Sequence, residues 1–207
     1  MPTVLLASAS ERRRMMMKDL FSNRSVELEF CKLKGAEPEP YSGLEVNRQV
    51  ENSCLNKAMF AVMERGKMIR ADIIVVSDTL VEDPDDYQVA LGKPKDELEA
   101  TATLIRLSGR RHKVWSSTAI ISRSPKGIGV GFGWSAKIFT DYSIVEFDEI
   151  DSEMLEHLIG NGSWIGKAGG YDLAGDLGRF SKVILGDEST VLGLSISAIG
   201  ELRRVLN

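Results

Sequence analysis

Ile73-Ile74-Val75-Val76-Ser77-Asp78-Thr79 is the stretch on which the fold turns. Its run of apolar and small residues reads as a strand buried on both faces, the kind found in a sheet covered by helices. Asp78 then falls where that strand is expected to end. Open α/β sheets bind ligands in the crevice beyond the carboxyl ends of their strands. A carboxylate delivered there suits a metal ion or an attacking water. Taken alone, Ser77-Asp78-Thr79 reads better as a turn, since these residues are common at strand ends. The company Asp78 keeps elsewhere in the chain changes that balance.

Outward from this strand, strands and helices alternate. Val4 to Ala7 reads as a strand, and Ser10 as the N-cap of a helix over Glu11 to Leu20. A strand over Val26 to Cys31 is followed by a loop over Lys34 to Gly43, which holds Pro38 and Pro40. A helix is expected over Val46 to Arg65. After the Ile73 strand come an acidic turn over Glu82 to Tyr87, read as solvated, and a short strand over Gln88 to Leu91. Asp96 and Glu99 make a capping-box pattern for a helix to Leu107, with Leu98, Ala102 and Ile105 on one face. Lys113 to Ser122 and Ser135 to Phe147 read as strands flanking Gly127, Gly129, Gly131 and Gly133, a hairpin or bulged edge. Asp151 caps a helix to Leu158, Gly160 to Gly178 is irregular, Val183 to Leu185 is a strand, and Ser197 to Leu206 a final helix. This order argues for α/β with a mixed sheet.

Composition narrows the class. The chain has 207 residues, 43% of them hydrophobic and 27% charged, ordinary for a globular protein with a substantial core. A net charge of −4 disfavours a nucleic-acid polymer as partner, because that needs a basic face. Cys31 and Cys54 make neither a metal spacing nor a disulfide framework, and His112 and His157 lie well apart. A zinc site or a Cys-His nucleophile pair is therefore not expected. No run suggests a membrane span or a signal peptide, so a cytoplasmic location is the expectation.

Four basic clusters carry the chemistry. Ser8-Ala9-Ser10-Glu11-Arg12-Arg13 places hydroxyls and free N–H groups at a helix start, a natural anion site. Arginines in a first turn oppose the helix dipole, so a bound polyphosphate would account for Arg12 and Arg13 better than helix stability does. Lys57 lies in the apolar stripe of Val46, Val50, Cys54, Ala58 and Ala61. It must either snorkel past the helix edge or meet an anion such as Asp78. Leu91-Gly92-Lys93-Pro94 presents Lys93 from a stiff turn. Gly166-Lys167-Ala168-Gly169-Gly170-Tyr171 fails as a Walker loop, with Asn161 at the first glycine position and Ala168 where Ser or Thr would hold magnesium. Its glycines still allow close backbone approach to a ligand.

Together with Leu107-Ser108-Gly109-Arg110-Arg111-His112-Lys113-Val114, these blocks resemble the Maf family of nucleoside triphosphate pyrophosphatases, the septum formation inhibitor homologues. The order is Leu-Ala-Ser-x-Ser-x-Arg-Arg, Lys57-Ala58, Asp78-Thr79, Gly-Lys-Pro, Leu-Ser-Gly-Arg-x-His-x-Val and Lys-Ala-Gly-x-Tyr, over nearly the whole chain. The resemblance implies one Maf-like domain over 1–207, a two-lobed α/β fold (ITPase/Maf-like) whose long mixed β-sheet is flanked by helices around a central cleft, commonly a homodimer. It implies hydrolysis of (d)NTP to (d)NMP and pyrophosphate, with dTTP, UTP or modified nucleotides as substrates and a divalent cation, Mg2+, Mn2+ or Co2+, as cofactor. Asp78 is the implied catalytic base and metal ligand. Ser8, Ser10, Arg12, Arg13, Lys57, Thr79, Lys93 and Lys167 form the implied substrate site, Arg12 and Thr79 being linked to substrate choice.

The chain departs from the family pattern after Tyr171. Many members carry Gly-x-x-Gln there, the Gln helping to read the base, whereas this chain has Asp172-Leu173-Ala174-Gly175 with Ala174 at that position. An acidic residue usual after the second strand has Glu37 or Glu39 as shifted candidates, and Ser116 and Ser117 have no assigned role. Two further readings stay open: a 7-methyl-GTP pyrophosphatase of the same family, and a nucleotide-binding regulator of cell division with little catalysis.

Overall fold

The computed structural model describes residues 1–34, 43–65 and 70–206. Most of the loop read over 34–43, including Glu37 and Glu39, lies outside the described residues. The first half alternates β1 (Thr3–Ala7), α1 (Glu11–Phe21), β2 (Glu27–Cys31), α2 (Val46–Arg65), β3 (Ile73–Glu82), β4 (Ala90–Leu91) and α3 (Glu97–Leu107). The second half brings β5 (Arg111–Ser122), β6 (Ile128–Gly131), β7 (Trp134–Phe147), α4 (Ser152–Gly160), β8 (Ser181–Leu185), α5 (Glu188–Leu192) and α6 (Ile196–Val205). One mixed sheet of eight strands runs β2-β1-β3-β5-β7-β6, with β4 on β3 and β8 on β7. Among the described residues only β1 pairs in parallel, with β2 and β3; the other pairs are antiparallel. The mixed α/β fold read from the alternation is the observed one.

Helices cover both faces, which is why β3 opens as a continuous apolar run. Ile74 and Val76 pack under α2 against Cys54, Ala58, Ala61 and Val62. Ile73 and Val75 face the other way, against Met17 and Phe21 of α1 and Ala198, Ile199 and Leu202 of α6. A separate core gathers at the far ends of β3, β5 and β7, where Val81, Val114, Val145 and Phe147 meet Leu104, Leu107, Leu158, Tyr171 and Leu177.

Several local expectations are corrected. β3 does not end at Asp78; it continues to Glu82, because β5 pairs with it through Val81. The acidic turn is not simply solvated. Glu82 closes β3, is buried, and accepts from Lys113 Nζ at 2.9 Å and Trp115 Nε1 at 2.7 Å. Asp83 is buried as well and paired with Arg106. Burial alone would raise the Asp83 carboxyl, but the Arg106 hydrogen bond, the Asp85 N–H and the Arg106 charge together outweigh it and hold the group below its usual value. The strand read over 88–91 shrinks to Ala90–Leu91. In α3 the core face is Ala100, Leu104 and Leu107, while Leu98, Ala102 and Ile105 face outward. The short helix α5 has no apolar periodicity and was not anticipated.

Candidate active site

The register of β3 creates the site. β1 pairs with β3 only as far as Val75, and β4 resumes pairing at Val81. Among the described residues, 76–80 of β3 thus have β5 on one side and an open notch on the other. Asp78 lies beyond the end of β1, not of its own strand. The crevice rule therefore holds, but for the neighbouring strand. A cavity of about 480 Å³ fills the notch, lined among others by Ser8, Ser10, Arg12, Arg13, Asp78, Thr79, Lys93 and Lys167.

Each functional side chain has an identifiable support. Ser8 extends β1, its N–H donating to Cys31 O at 2.8 Å, and its Oγ accepts from Ser10 N at 3.2 Å. Ser10 caps α1, accepting from Arg13 N, so α1 begins at the cavity wall. Lys57 does not snorkel; its Nζ donates to Asp78 Oδ1 at 2.7 Å, with both side chains largely enclosed. The apolar stripe of α2 explains the pairing, since that face is pressed onto β3 and a charge carried there needs a partner on it. Next to this pair, burial pushes the Cys54 thiol up to about 12, which keeps it protonated and inert.

Arg13 is more tightly built in than its position in a helix's first turn suggests. Nε donates to Gly193 O at 2.7 Å and Nη2 to Thr79 Oγ1 at 2.8 Å. Thr79 and Ser116 share a hydrogen bond at 2.8 Å, and Ser116 Oγ donates to Thr190 O at 2.6 Å. Ser116 thereby gains a role: it carries the wall that seats Arg13. Gly193 is the residue the sequence reading missed. Its φ of +113° favours glycine, and a Cβ there would lie 2.7 Å from Arg13 Nε.

The opposite wall comes from the glycine-rich segment. Gly169 N donates to Gly92 O at 2.9 Å, tying this segment to the Lys93 turn. With φ +66°, Gly169 sits where a Cβ would meet Val81 at 2.8 Å. Lys167 Nζ donates to Ser163 O at 2.6 Å and lies 3.3 Å from Asp172 Oδ2. Arg12 reaches across the cavity to Asp172 Oδ1 at 3.0 Å. Behind this wall Tyr171 and His112 share a buried hydrogen bond of 2.9 Å and pack edge-on with Phe147. Burial lowers His112 to about 4 and raises Tyr171, so both stay neutral. The His and Tyr of two separate motifs thus meet in one cluster. Ala174, expected at the base-reading position, is exposed and is not among the cavity-lining residues. Lys57 reaches the cavity through Asp78 rather than by lining it.

Among the described residues no group of three or more His, Cys, Asp or Glu comes together to cage a metal. The cavity does offer carboxylate oxygens from Asp78, Asp172 and Glu11. A hard cation that takes one or two carboxylates and completes its shell with water and phosphate oxygens fits such a donor set.

The model of the Maf-like protein family matches residues 3–205. Similar relatives include the dTTP/UTP pyrophosphatase of Pyrococcus horikoshii, 31% identical over 202 residues that span 98% of this chain and 96% of the relative. The dTTP/UTP pyrophosphatase of Clostridium botulinum (strain Loch Maree / Type A3) is 29% identical over 208 residues, again 98% of this chain and 96% of the relative. Among solved structures, a HAM1 protein from Coxiella burnetii superposes with a TM-score of 0.56 at 14% identity, covering 100% of this chain and 98% of the other. A nucleoside-triphosphatase / dITP/XTP pyrophosphatase from Mycobacterium abscessus gives 0.51 at 16% identity, covering 99% and 98%. At such identities the likeness is one of fold.

Proposed function

Because the chain belongs to the family of Maf-like proteins, we propose that it hydrolyses nucleoside triphosphates to the monophosphate and pyrophosphate, with dTTP and UTP as substrates. The observation that carries the reading is the Asp78–Lys57 pair at 2.7 Å, on the wall of a cavity also lined by Arg12, Arg13, Lys93 and Lys167. The pyrimidine preference follows the names of the relatives. Residue 174 supports no base reading, since its side chain is an exposed methyl.

In this reading water attacks the α-phosphorus in line with the bond to the β-phosphate. Asp78 takes the proton of that water, and the electron pair of the broken P–O bond leaves with pyrophosphate. Lys57 orients the carboxylate through their 2.7 Å hydrogen bond. Arg12, Lys93 and Lys167, with the N–H groups at the start of α1, neutralise charge on the phosphate oxygens. Arg13, spent on Gly193 and Thr79, adds field and shape to the wall. A divalent cation such as Mg2+, held by Asp78 and phosphate oxygens, would supply further charge neutralisation. A homodimer, as the family resemblance implies, working in the cytoplasm completes the reading.

The test is product analysis with dTTP, UTP, 7-methyl-GTP and the other common triphosphates in magnesium or manganese. Monophosphate and pyrophosphate from dTTP and UTP are expected. Diphosphate and orthophosphate as products would reject the proposed bond cleavage. Tight triphosphate binding without turnover would favour a regulator instead.

A further inference from the structure

Asp172 stands across the cavity from the start of α1, at the end of the glycine-rich wall. Its Oδ1 accepts from Arg12 Nη1 at 3.0 Å and its Oδ2 lies 3.3 Å from Lys167 Nζ. The same Oδ1 accepts from Ala174 N at 3.0 Å, and Gly175 N donates to Asp172 O at 3.0 Å, so the residue's own turn holds it in place. Arg12, Lys167 and Asp172 all line the cavity. With 16% of its side chain exposed, Asp172 is no surface ion pair. Burial alone would raise its carboxyl, yet Arg12, the Ala174 N–H and Lys167 together hold it below the usual carboxylate range. It is therefore ionised at neutral pH.

A carboxylate offers a guanidinium and an ammonium the same kind of paired acceptor oxygens that a phosphate group does. It also repels an incoming anion at short range. Two of the cations available for phosphate in this cavity are thus already engaged by an anion belonging to the protein, in contacts that bridge the two walls. We propose that Asp172 is an internal stand-in for substrate phosphate, which holds Arg12 and Lys167 in the empty cavity, is displaced when a polyphosphate enters, and returns to them as products leave.

The consequence is selectivity by phosphate number. An anion that engages only Arg12 and Lys167 exchanges one carboxylate for one phosphate and gains little. A triphosphate reaches the N–H groups at the start of α1 as well, which lie outside the contacts Asp172 makes with Arg12 and Lys167. Apparent affinity for any ligand falls with the fraction of molecules in which the stand-in is engaged. Pyrophosphate, shorter than the substrate, is then the ligand more readily expelled. The identity of the ligand as a nucleoside triphosphate rests on the proposed function; the competition itself needs only a polyanion.

Titration calorimetry with inorganic tripolyphosphate on the full chain tests the competition without requiring turnover. Asp172→Asn is expected to bind tripolyphosphate about 3- to 10-fold more tightly, the range of a modest ion-pair contribution. The KM for dTTP and the inhibition constant of pyrophosphate should fall together. Lys167→Gln should weaken tripolyphosphate binding more in the Asp172→Asn background than in the wild type, because only there is Lys167 released for the ligand. Unchanged or weaker binding by Asp172→Asn overturns the proposal. So do strictly additive effects of the two substitutions, which would mean a general field rather than competition, and so does a collapse of kcat at unchanged affinity. Asn can still accept from Ala174 N and so keep the turn; should that variant not fold, Asp172→Ser, whose hydroxyl can accept there too, carries the same expectation. A wild type that binds tripolyphosphate but releases no pyrophosphate from triphosphates would sink the proposed activity and leave this test intact.

Discussion

At residue 78 a carboxylate is fixed by a lysine from another element, and both are screened from bulk water. Asp78→Asn keeps the shape of the side chain while removing its ability to take a proton. We expect it to fold normally and to lose at least about 100-fold in turnover. A melting curve beside a pyrophosphate-release assay checks both halves, and near-normal release would reject Asp78 as the base. Lys57→Met removes the charge and leaves the enclosed carboxylate unpaired, which should cost about 3–5 kcal/mol at most, less in proportion to residual solvent contact. Urea denaturation at pH 7 measures it. The pairing could be anticipated from the sequence only as one of two options. Periodicity shows that Lys57 falls on the buried stripe of α2, but not that β3 turns Asp78 towards the same face.

The element that decides the cleft is β3, ten residues long and contributing to all three of the cores described above. Its length was not legible, because Ser77-Asp78-Thr79 has the composition of a strand end. Pairing with Ser116, Ser117 and Thr118 of β5 overrides that local preference. Those hydroxyls are satisfied in the interior: Ser77 Oγ, for example, donates to Gly193 O at 2.7 Å or Ser117 O at 2.9 Å. The turn after α5 was equally opaque, since Gly193 belongs to no motif and acts through Arg13, 180 residues away. Gly193→Ala forces a side chain into a left-handed backbone and against Arg13 Nε. A loss of about 1–3 kcal/mol is expected, with a raised KM for dTTP as Arg13 shifts. Thermal unfolding and steady-state kinetics on that variant read the two effects separately; an unchanged melting temperature would show that the turn accommodates a methyl group.

At the scale of the molecule, buried His112 links stability to pH. Its folded pKa of about 4 lies below the ordinary 6.5, so between these values the unfolded chain binds more protons than the native one. Stability from this group is therefore full above about pH 6.5 and drains away as pH falls towards 4, by up to about 3 kcal/mol. Urea midpoints at pH 7 and pH 4.5 should differ by more in the wild type than in His112→Gln, which has no such proton to take up. Most of the architecture was readable: the alternation of strands and helices, the caps Ser10, Asp96 and Asp151, and the mixed sheet. What escaped were contacts between residues far apart in the chain, such as Arg12 with Asp172, which no local pattern encodes.

β3, β5 and β7 run unbroken from the clusters under the helices to the separate core at their far ends, with 10, 12 and 14 residues respectively. These strands tie the two ends of the sheet together with no linker between them. Asp78 sits on β3 between those ends, while Arg12 and Lys167 reach the cavity from α1 and from the glycine-rich segment. A shift of either segment would therefore move its cation relative to a carboxylate anchored in the sheet.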